Sequence, residues 1–387
     1  MLIAVLFGGR NSLSLVIQGI NESDNLNYLQ ISFAFALGQI VVGIISPFSG
    51  MMADRYGSGK TLFLGVILTL IGCALIPYAT NPITLSISLG AVASIGLGVA
   101  GLPVIMASVN KLVPKDKVGI AFGLVNAGQS LGQLVIAPLA GFVIVNFGWI
   151  ASIYMLCLML LLVLPLSLIL KSKDEKNVTF ESTNDMRMSE TLLMAFKTPS
   201  YIYLISGFFV CGFHVTFIAT HMPGVIEVCG LSPAVSGWSL GVIGLFNIVG
   251  SVFAGWYISL YSMRIFLAYM YFARCVIVLL FLVSPMDIFS VMIFSIALGF
   301  TYFSVIPATA GLIGKMFGPK FMATLFGFAL FSHSIGGFLG AYLGGYFFTL
   351  NGDYTMIWLL DAMLAVFAAL IHLPIKERAF YKEMPST

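Results

Sequence analysis

Twelve long apolar segments dominate the sequence and leave few folds open to it. A helix needs about 20 mostly apolar residues to cross the hydrocarbon core of a bilayer. The segments that reach this length lie at about 2–20, 28–52, 60–80, 83–110, 118–146, 149–170, 201–227, 233–258, 264–284, 287–314, 321–350 and 354–373. The sequence therefore predicts an all-α integral membrane protein with twelve transmembrane helices.

The charge content identifies lipid as the outer solvent. Only 9% of the 387 residues are charged, whereas soluble globular chains carry about 25%. The five cysteines show no CxxC spacing, so neither a disulfide framework nor a metal site is indicated. We find no nucleophile–base set and no metal-ligand motif, and we expect no enzymatic activity, no cofactor and no nucleic-acid partner.

One polar stretch divides the apolar segments into six and six. It covers residues 171–199 and is rich in Lys, Asp, Glu, Asn, Ser and Thr. We predict an N-terminal six-helix bundle at 1–170, a cytoplasmic linker at 171–199, a C-terminal six-helix bundle at 200–373 and a cytoplasmic tail at 374–387. The apolar run that starts after Met1 has no basic n-region, so we interpret it as the first membrane helix rather than a cleavable signal.

The basic residues set the orientation. If the N-terminus is cytoplasmic, every Lys and Arg falls in a cytoplasmic segment except Arg10 and Arg274, which lie inside helices. Cytoplasmic loops of membrane proteins carry such an excess of basic residues. The pattern supports the helix count and places both termini in the cytoplasm.

An internal repeat relates the two halves. A shift of 204 residues carries Pro103 onto Pro307 and Lys111 onto Lys315 without a gap. Helix breakers, loops and charges match in this one register. Parallel six-helix repeats related by an axis along the membrane normal are typical of one large class of secondary transporters, and we predict two pseudosymmetric bundles.

The turn between the second and third segments carries a recognisable motif. It reads Gly50-Met-Met-Ala-Asp54-Arg55-Tyr-Gly57-Ser-Gly59-Lys60, which resembles the G-x-x-x-D-R-x-G-x-x-K/R loop of the major facilitator superfamily. Gly57 and Gly59 permit positive φ in a tight turn, and Asp54 suits a helix N-terminus or a cation. The resemblance implies a conformational latch formed by Gly50, Asp54, Arg55, Gly57 and Lys60. An ordinary basic turn is the alternative.

A narrower resemblance is to the bacterial monocarboxylate-transporter-like and oxalate/formate-antiporter-like branches. It rests on Gly8-Gly-Arg10-Asn11-Ser12, on Cys211-Gly-Phe-His214 through His221-Met-Pro223, and on Gly230-Leu-Ser-Pro233. The well-studied monocarboxylate carriers have an Asp and an Arg in helix 8. The corresponding segment here, 233–258, has no charge, so their acid-binding cation has no counterpart at that position.

Arg10 and His214 are the leading candidates for substrate binding. A charge at mid-membrane costs several kcal/mol, which makes intramembrane ionisable residues functional candidates. The repeat shift places Arg10 and His214 at equivalent positions in helices 1 and 7, so we expect them to face each other across a central cavity, with Asn11 beside Arg10. A guanidinium matches a carboxylate, and histidine titrates near neutral pH. Arg10 paired with a carbonyl or an acid to hold helices together is the alternative.

Three further polar residues are assigned to the same site. His221 lies two turns from His214 on nearly the same face, where it either lines the vestibule or caps the kink at Pro223. Gln129 and His333 are repeat partners in helices 5 and 11. Interhelical hydrogen bonding is the alternative for Gln129, whose neighbours Asn126 and Gln133 share its face.

Arg274 and Asp361 lie in helices that we expect at the periphery, at comparable depth. We predict that they form a structural ion pair inside the second half.

Together these features predict a secondary active transporter of a small, monocarboxylate-like organic anion. We expect alternating access with the proton as coupling ion, in a monomer of the bacterial inner membrane surrounded by lipid. A proton-coupled exporter of drugs or metabolites is the alternative, although the first half lacks the membrane carboxylate that exporters of cationic drugs usually carry. A non-transporting membrane receptor is a second alternative, and the segments 171–199 and 374–387 are too short for a sensory domain.

Overall fold

Helices form nearly all of the part of the chain that the structure describes. The computed structural model describes residues 2–16, 19–20, 26, 28–114, 116–177, 188–228, 230–231, 233–285 and 287–380, and it contains no strand within these ranges. The helices up to the polar stretch are α1 (Leu2–Ser12), α2 (Tyr28–Tyr56), α3 (Ser58–Leu75), α4 (Pro82–Leu85), α5 (Ser94–Val99), α6 (Leu102–Leu112), α7 (Val118–Phe147) and α8 (Trp149–Asn177). A π-helical segment, Ser86–Ala93, joins α4 to α5.

The second half begins with a short additional helix and then continues with long helices like those of the first half. The elements are α9 (Met188–Lys197), α10 (Pro199–Val228), α11 (Pro233–Leu260), α12 (Met263–Val283), α13 (Ile288–Thr301), α14 (Val305–Phe317), α15 (Met322–Asn351) and α16 (Thr355–His372).

Eleven helical segments of the described chain are long and apolar enough to cross a membrane. They correspond to the second to twelfth predicted spans. The predicted first span, 2–20, contains α1 and a short 3₁₀ turn at Leu13–Val16, and part of it lies outside the described residues. The chain is therefore a multi-pass membrane protein, as the sequence predicted.

The polar stretch 171–199 is more helical than its composition suggested. Helix α8 continues to Asn177, and α9 forms a separate short helix. Thr191 and Ala195 of α9 are buried, so four-residue spacing gives α9 one inward face. Glu190 in its first turn and Lys197 in its last turn both match the helix dipole. Residues 178–187 lie outside the described part.

The predicted repeat appears in the helix boundaries. Helices α7 and α15 each have 30 residues, and both their first and their last residues are 204 positions apart. The breaks before α6 and α14 also correspond, with Pro103 and Pro307 close to the new helix starts. Sequence and structure therefore give the same register for the two halves.

Glycines bring particular helices into backbone contact. A Cβ on Gly132 of α7 would lie 2.0 Å from the carbonyl oxygen of Ala4, and one on Gly336 of α15 would lie 2.0 Å from that of Phe209. Such approaches are far below van der Waals contact. The small-residue spacing in α7 and α15 thus permits close packing on α1 and α10, which is how membrane helices associate.

The chain forms two compact units. The first comprises Met1–Val113, Gly128–Asp185 and Pro319–Phe331, and the second comprises Pro114–Ala127, Met186–Gly318 and Ser332–Thr387. The start of α7 thus belongs to the second unit and the start of α15 to the first. A single boundary at 171–199, as predicted from the sequence, does not account for these two segments, each of which belongs to the unit of the other half. The second unit has an aromatic core in which the rings of Phe281 and Phe294 stack at 4.2 Å.

Candidate functional site

Arg10 lies in the last turn of α1, and a neutral group holds its guanidinium. An Nη2 hydrogen is donated to the Oε1 atom of Gln39 in α2. Arg10 lines a narrow cleft in the first unit together with Leu13, Thr69 and Leu156. An arginine bonded to an amide rather than to a carboxylate keeps its charge available for an anion.

Backbone packing fixes the rotation of α1. A Cβ on Gly8 would lie 2.5 Å from the carbonyl group of Gly132 in α7, so only glycine allows this approach. The Ser12 hydroxyl donates to the carbonyl oxygen of Gly8 at 2.7 Å and stays on its own helix. These contacts hold α1 against α7 and thereby set the direction in which Arg10 leaves the helix.

Two other predicted site residues belong to the same unit. Gln129 of α7 is 5% exposed. Its Oε1 atom is buried without a hydrogen-bond partner in the described part of the chain. This oxygen can therefore accept a hydrogen bond that the described residues do not supply. The side chain of Asn11 lies outside the described residues.

The structure places His214 inside the second unit, where it pairs with Asp361. The Nδ1 atom of His214 in α10 lies 2.5 Å from the Oδ2 atom of Asp361 in α16, and the two side chains are 1% and 0% exposed. The expected cavity-facing position of His214 is therefore corrected. Its ring turns toward α16 because Asp361 is the only buried carboxylate within reach among the described residues.

The predicted ion pair between Arg274 and Asp361 is also corrected. The Arg274 side chain of α12 is fully buried, but its Nη2 atom donates to the carbonyl oxygens of Thr301 and Tyr302. The carboxylate takes His214 instead. Similar depth in the membrane is necessary for a pair, but the rotation of each helix decides which partner is met.

Arg274 is one of three polar side chains that hold the break between α13 and α14. Pro307 has no N–H group, so the carbonyl oxygen of Phe303 lacks its usual helical donor. The Nδ2 atom of Asn126 in α7 donates to that oxygen at 2.9 Å, and the Oδ1 atom of Asn247 in α11 accepts from the Phe303 N–H at 3.0 Å. Non-helical backbone at membrane depth requires such partners.

His221 and His333 both lie at the contact of α10 with α15. The Nε2 atom of His221 donates to the carbonyl oxygen of Ala341 at 2.8 Å, which fixes the tautomer of a neutral ring. His333 is half-buried, with its ring 4.9 Å from that of Phe208. The structure therefore places both histidines at a helix contact within the second unit. Substrate contact for either residue stays a prediction.

The motif between α2 and α3 caps the start of α15. Both the N–H and the hydroxyl of Thr324 donate to the Oδ2 atom of Asp54, at 3.0 and 2.8 Å, and Lys111 lies 3.7 Å from Oδ1. Asp54 thus meets both a helix N-terminus and a cation, the two partners that its chemistry suggested. One turn earlier, a Cβ on Gly50 would lie 2.3 Å from the carbonyl oxygen of Ala323.

The remaining motif residues shape the turn. Gly57 has a φ of +93°, a conformation that favours glycine, whereas Gly59 is already within α3. Arg55 is exposed, with its guanidinium carbon 5.3 Å from the centre of the Tyr56 ring, and Lys60 is exposed as well.

In the second half a carboxylate from the C-terminal segment occupies the corresponding place. The Oε1 atom of Glu377 accepts from the Ser262 hydroxyl at 2.6 Å and from the Arg264 N–H at 2.8 Å. Its Oε2 atom accepts from Lys315 at 3.0 Å. Lys315 is the repeat partner of Lys111, so each of the two lysines meets one carboxylate. The expected tail is therefore held in place over its described part.

Protonating or neutralising Glu377 should release this segment. Burial raises the pKa of the Glu377 carboxyl, but hydrogen bonds from Arg264, Ser262 and Lys315 outweigh burial and hold the pKa below its ordinary value of 4.5. The carboxylate therefore contributes stability above pH 4.5 that is lost as the pH falls through the lowered pKa. In Glu377→Gln we expect amide hydrogen exchange at 373–380 to be about tenfold faster at pH 7.

A matched variant is Glu190→Gln, which neutralises an exposed carboxylate on α9. It should leave exchange at 373–380 unchanged. Equal exchange in Glu377→Gln and the wild-type protein would show that the carboxylate does not hold the segment.

Sequence reasoning missed several residues of these networks, among them Gln39, Asn247, Thr324 and Glu377. A search for amide side chains inside apolar segments would have selected Gln39 and Asn247. Thr324 and Glu377 carry no comparable signal, because their importance arises from a contact with a distant segment.

Comparison with known proteins agrees with this arrangement. The sequence profile of the Major Facilitator Superfamily matches residues 1–341 and 230–381. The chain belongs to the Major Facilitator Superfamily. It is thus a transporter of this superfamily, a class whose members bind small-molecule substrates, and it is a multi-pass membrane protein.

Individual superfamily members are similar over nearly the whole chain. The uncharacterized MFS-type transporter YcxA of Bacillus subtilis is 24% identical, with 94% of this chain and 90% of that protein covered. Monocarboxylate transporter 12 of Mus musculus is 23% identical, with 89% and 77% covered. The solved proton:xylose symporter XylE shares the fold with a TM-score of 0.77 at 14% identity, with 98% and 95% covered.

Proposed function

We propose that this superfamily member carries a small organic anion of the monocarboxylate type by alternating access, with the proton as coupling ion. The observation that carries the proposal is the state of Arg10. Its guanidinium is bonded to the neutral Gln39, and the residue lines an apolar cleft. A carboxylate in that position gains a charge-assisted and bidentate interaction.

The charge balance of the membrane interior supports an anionic substrate. Deep in the apolar segments the charged residues are Arg10, Arg274 and Asp361. Two positive charges against one negative leave an excess of one positive charge when the histidines are neutral. An uncompensated charge in this environment is costly. Binding of one anion removes the excess positive charge and is therefore favourable.

The likeness to monocarboxylate transporter 12 also supports an organic acid, with a different residue providing the cation. Helix α11, the eighth span, contains no charged residue. We therefore assign substrate binding to Arg10, with Asn11 and Gln129 close to it in the sequence-predicted site, and we retain His221 and His333 as candidates from the second half.

The remaining features fit the same proposal. We propose a monomer in the cell membrane, the inner membrane of a bacterium, with the basic ends of the helices and both termini in the cytoplasm. The two halves, 1–170 and 200–373, form the moving bundles. Gly50, Asp54, Arg55, Gly57 and Lys60 act as the latch that forms in one conformation and opens in the other.

Uptake into proteoliposomes tests the proposal directly. The purified protein should take up at least one radiolabelled acid from a panel of monocarboxylates and dicarboxylates, lactate among them. An outside-acid pH gradient should raise uptake about tenfold or more, since one pH unit is a tenfold proton gradient. A protonophore should remove this gain.

Empty liposomes and a set of labelled organic cations serve as controls. Uptake of cations together with no uptake of any acid would reject the anion-carrier proposal and favour the exporter. Acid uptake that is indifferent to the pH gradient would reject the proton as coupling ion.

A further inference from the structure

A cluster of buried ionisable groups in the second unit has no part in substrate binding as proposed above. His214 of α10 and Asp361 of α16 pair at 2.5 Å, and neither side chain is more than 1% exposed. Each also keeps one atom without a hydrogen-bond partner in the described part of the chain, His214 Nε2 and Asp361 Oδ1. A purely structural pair at this depth would be expected to satisfy all its polar atoms.

We propose that the His214–Asp361 pair is the binding site of the coupling proton. This inference rests on the proposed function for the coupling, while proton binding itself stands on the geometry. With His214 neutral, Nδ1–H donates to the carboxylate and Nε2 is left as a buried acceptor. One proton added to the unpartnered Asp361 Oδ1 makes the pair neutral overall, with the carboxylic acid still beside the neutral His214 ring.

Arg274 makes both protonation states accessible. Its fully buried guanidinium and Asp361 both lie close to the thiol of Cys211, one turn before His214 on α10. The three residues together carry no net charge without the proton and one positive charge with it. A buried site that differs from neutrality by at most one charge can both gain and lose a proton, whereas an isolated buried carboxylate would remain protonated.

The other titratable groups around the pair come from three helices and one helix break. They are Cys211 on α10, Tyr271 and Cys275 on α12, Tyr302 at the break after α13, and His372 on α16, which stacks on Tyr271. No second carboxylate faces the pair among the described residues. The proton therefore has one site, between α10 and α16.

Arg274 also connects the pair to the broken helix. Its hydrogen bonds go to the carbonyl oxygens of Thr301 and Tyr302, at the break that Asn126 of α7 also contacts. When the pair is deprotonated, the Asp361 charge attracts Arg274, and when it is protonated only the two carbonyl groups do. Proton binding thus changes the force on a non-helical segment, the kind of element at which transporters bind coupling ions.

The proton enters from one aqueous side and leaves to the other, and only N–H and O–H bonds form and break. In the conformation described here the pair is shut off from water. Exchange of the proton therefore requires the helices around it to separate, which alternating access provides.

Infrared difference spectroscopy on the purified, lipid-reconstituted protein tests proton binding without any substrate. The wild-type protein should show a carboxylic-acid C=O band that appears as the pH is lowered across the scanned range of about 9 to about 5. The band should be missing in Asp361→Asn and shifted in His214→Gln. A wild-type spectrum with no band of Asp361 that changes over this range would overturn the proposal.

Transport of labelled lactate separates the pair's role from that of the carrier. Asp361→Asn imitates the protonated state, so lactate–lactate exchange should persist while gradient-driven accumulation falls at least tenfold. His372→Gln changes another buried histidine, bonded to its own helix at Ala368, and should keep both activities. Gradient-driven accumulation at the wild-type level in Asp361→Asn would contradict the proposal.

The two proposals fail in distinguishable ways. If the wild-type protein carries no acid, the anion-carrier proposal fails while the infrared titration still decides proton binding. If Asp361→Asn does not fold, His214→Gln supplies the transport arm, because an amide retains a hydrogen bond to Asp361 but does not titrate.

Discussion

Replacing Arg10 with alanine should reduce carboxylate uptake by about 100-fold or more, the range expected for loss of a charge-assisted hydrogen bond to a substrate anion. In the sequence of the first half, the guanidinium is the only cation that lies deep within an apolar segment rather than at its end, and its described partner is the neutral Gln39. Initial uptake rates of labelled lactate and other monocarboxylates in proteoliposomes measure the effect.

Arg10→Lys separates charge from geometry. Lysine preserves the charge but not the planar fork, so we expect a loss of about tenfold with the pH dependence retained. Gln39→Ala removes the amide that orients the guanidinium and should cost less than Arg10→Ala, because the charge remains. Both variants change the site without removing its cation.

Arg378→Ala is the matched control for loss of an arginine. Its guanidinium is exposed and lies over the Phe380 ring after the last span, so uptake should be unchanged. Monodisperse elution and an unchanged unfolding temperature would show that Arg10→Ala still folds. Wild-type uptake by a folded Arg10→Ala protein would refute the assignment of Arg10 to the substrate site.

The spans and the repeat follow directly from the sequence, because bilayer thickness sets a length and apolar runs reveal it. The predicted segment 118–146 is within one residue of α7, Val118–Phe147. Pro103 and Pro307, which coincide in the repeat, lie next to the two helix breaks, but the sequence predicted unbroken spans there. The spans and the repeat depend on local composition, which a sequence contains in full.

The partners of the buried charges do not follow from the sequence. In a soluble helix the apolar stripe shows which face is inward, but α10 and α16 are apolar on nearly all sides. The repeat shift placed His214 opposite Arg10 on the assumption that both face the centre. The rotation of α10 instead turns His214 toward Asp361, and Arg274 is left to the carbonyl groups of Thr301 and Tyr302.

Contacts that join distant segments are also beyond sequence reasoning. Asp54 was expected to meet a helix N-terminus or a cation, but the sequence does not say which helix. Glu377 lies in a segment interpreted as a plain tail, and only the folded chain brings it to Ser262 and Lys315. The motif thus indicates the chemistry, and the tertiary structure supplies the partner.

Replacing Asp54 with asparagine should release the first turn of α15. The carboxylate accepts two hydrogen bonds from Thr324 and adds a favourable interaction with the helix dipole, a combination worth about 1.5–3 kcal/mol. Asparagine keeps the shape but loses the charge. We expect amide exchange at the first turn of α15 to rise by about 10- to 100-fold, the ratio that corresponds to this free energy.

Asp287→Asn is the matched control, because Asp287 also caps a helix. Its Oδ1 atom accepts from the Ser290 N–H at 2.8 Å, at the start of its own helix α13. Loss of that cap should affect α13 alone and leave both exchange at α15 and transport unchanged. Comparing Asp54→Asn with Asp287→Asn therefore separates the effect of losing a contact between distant segments from the effect of losing a helix cap within one segment.

The same variant tests the latch. A contact that must form in one conformation and open in the other contributes to the equilibrium between them, so weakening it by about 1.5–3 kcal/mol shifts that equilibrium by about 10- to 100-fold. Uptake by Asp54→Asn should then be slower at saturating substrate with an unfolding temperature close to that of the wild-type protein. Faster exchange at α15 combined with wild-type uptake would mean that Asp54 only caps a helix and that the latch role is wrong.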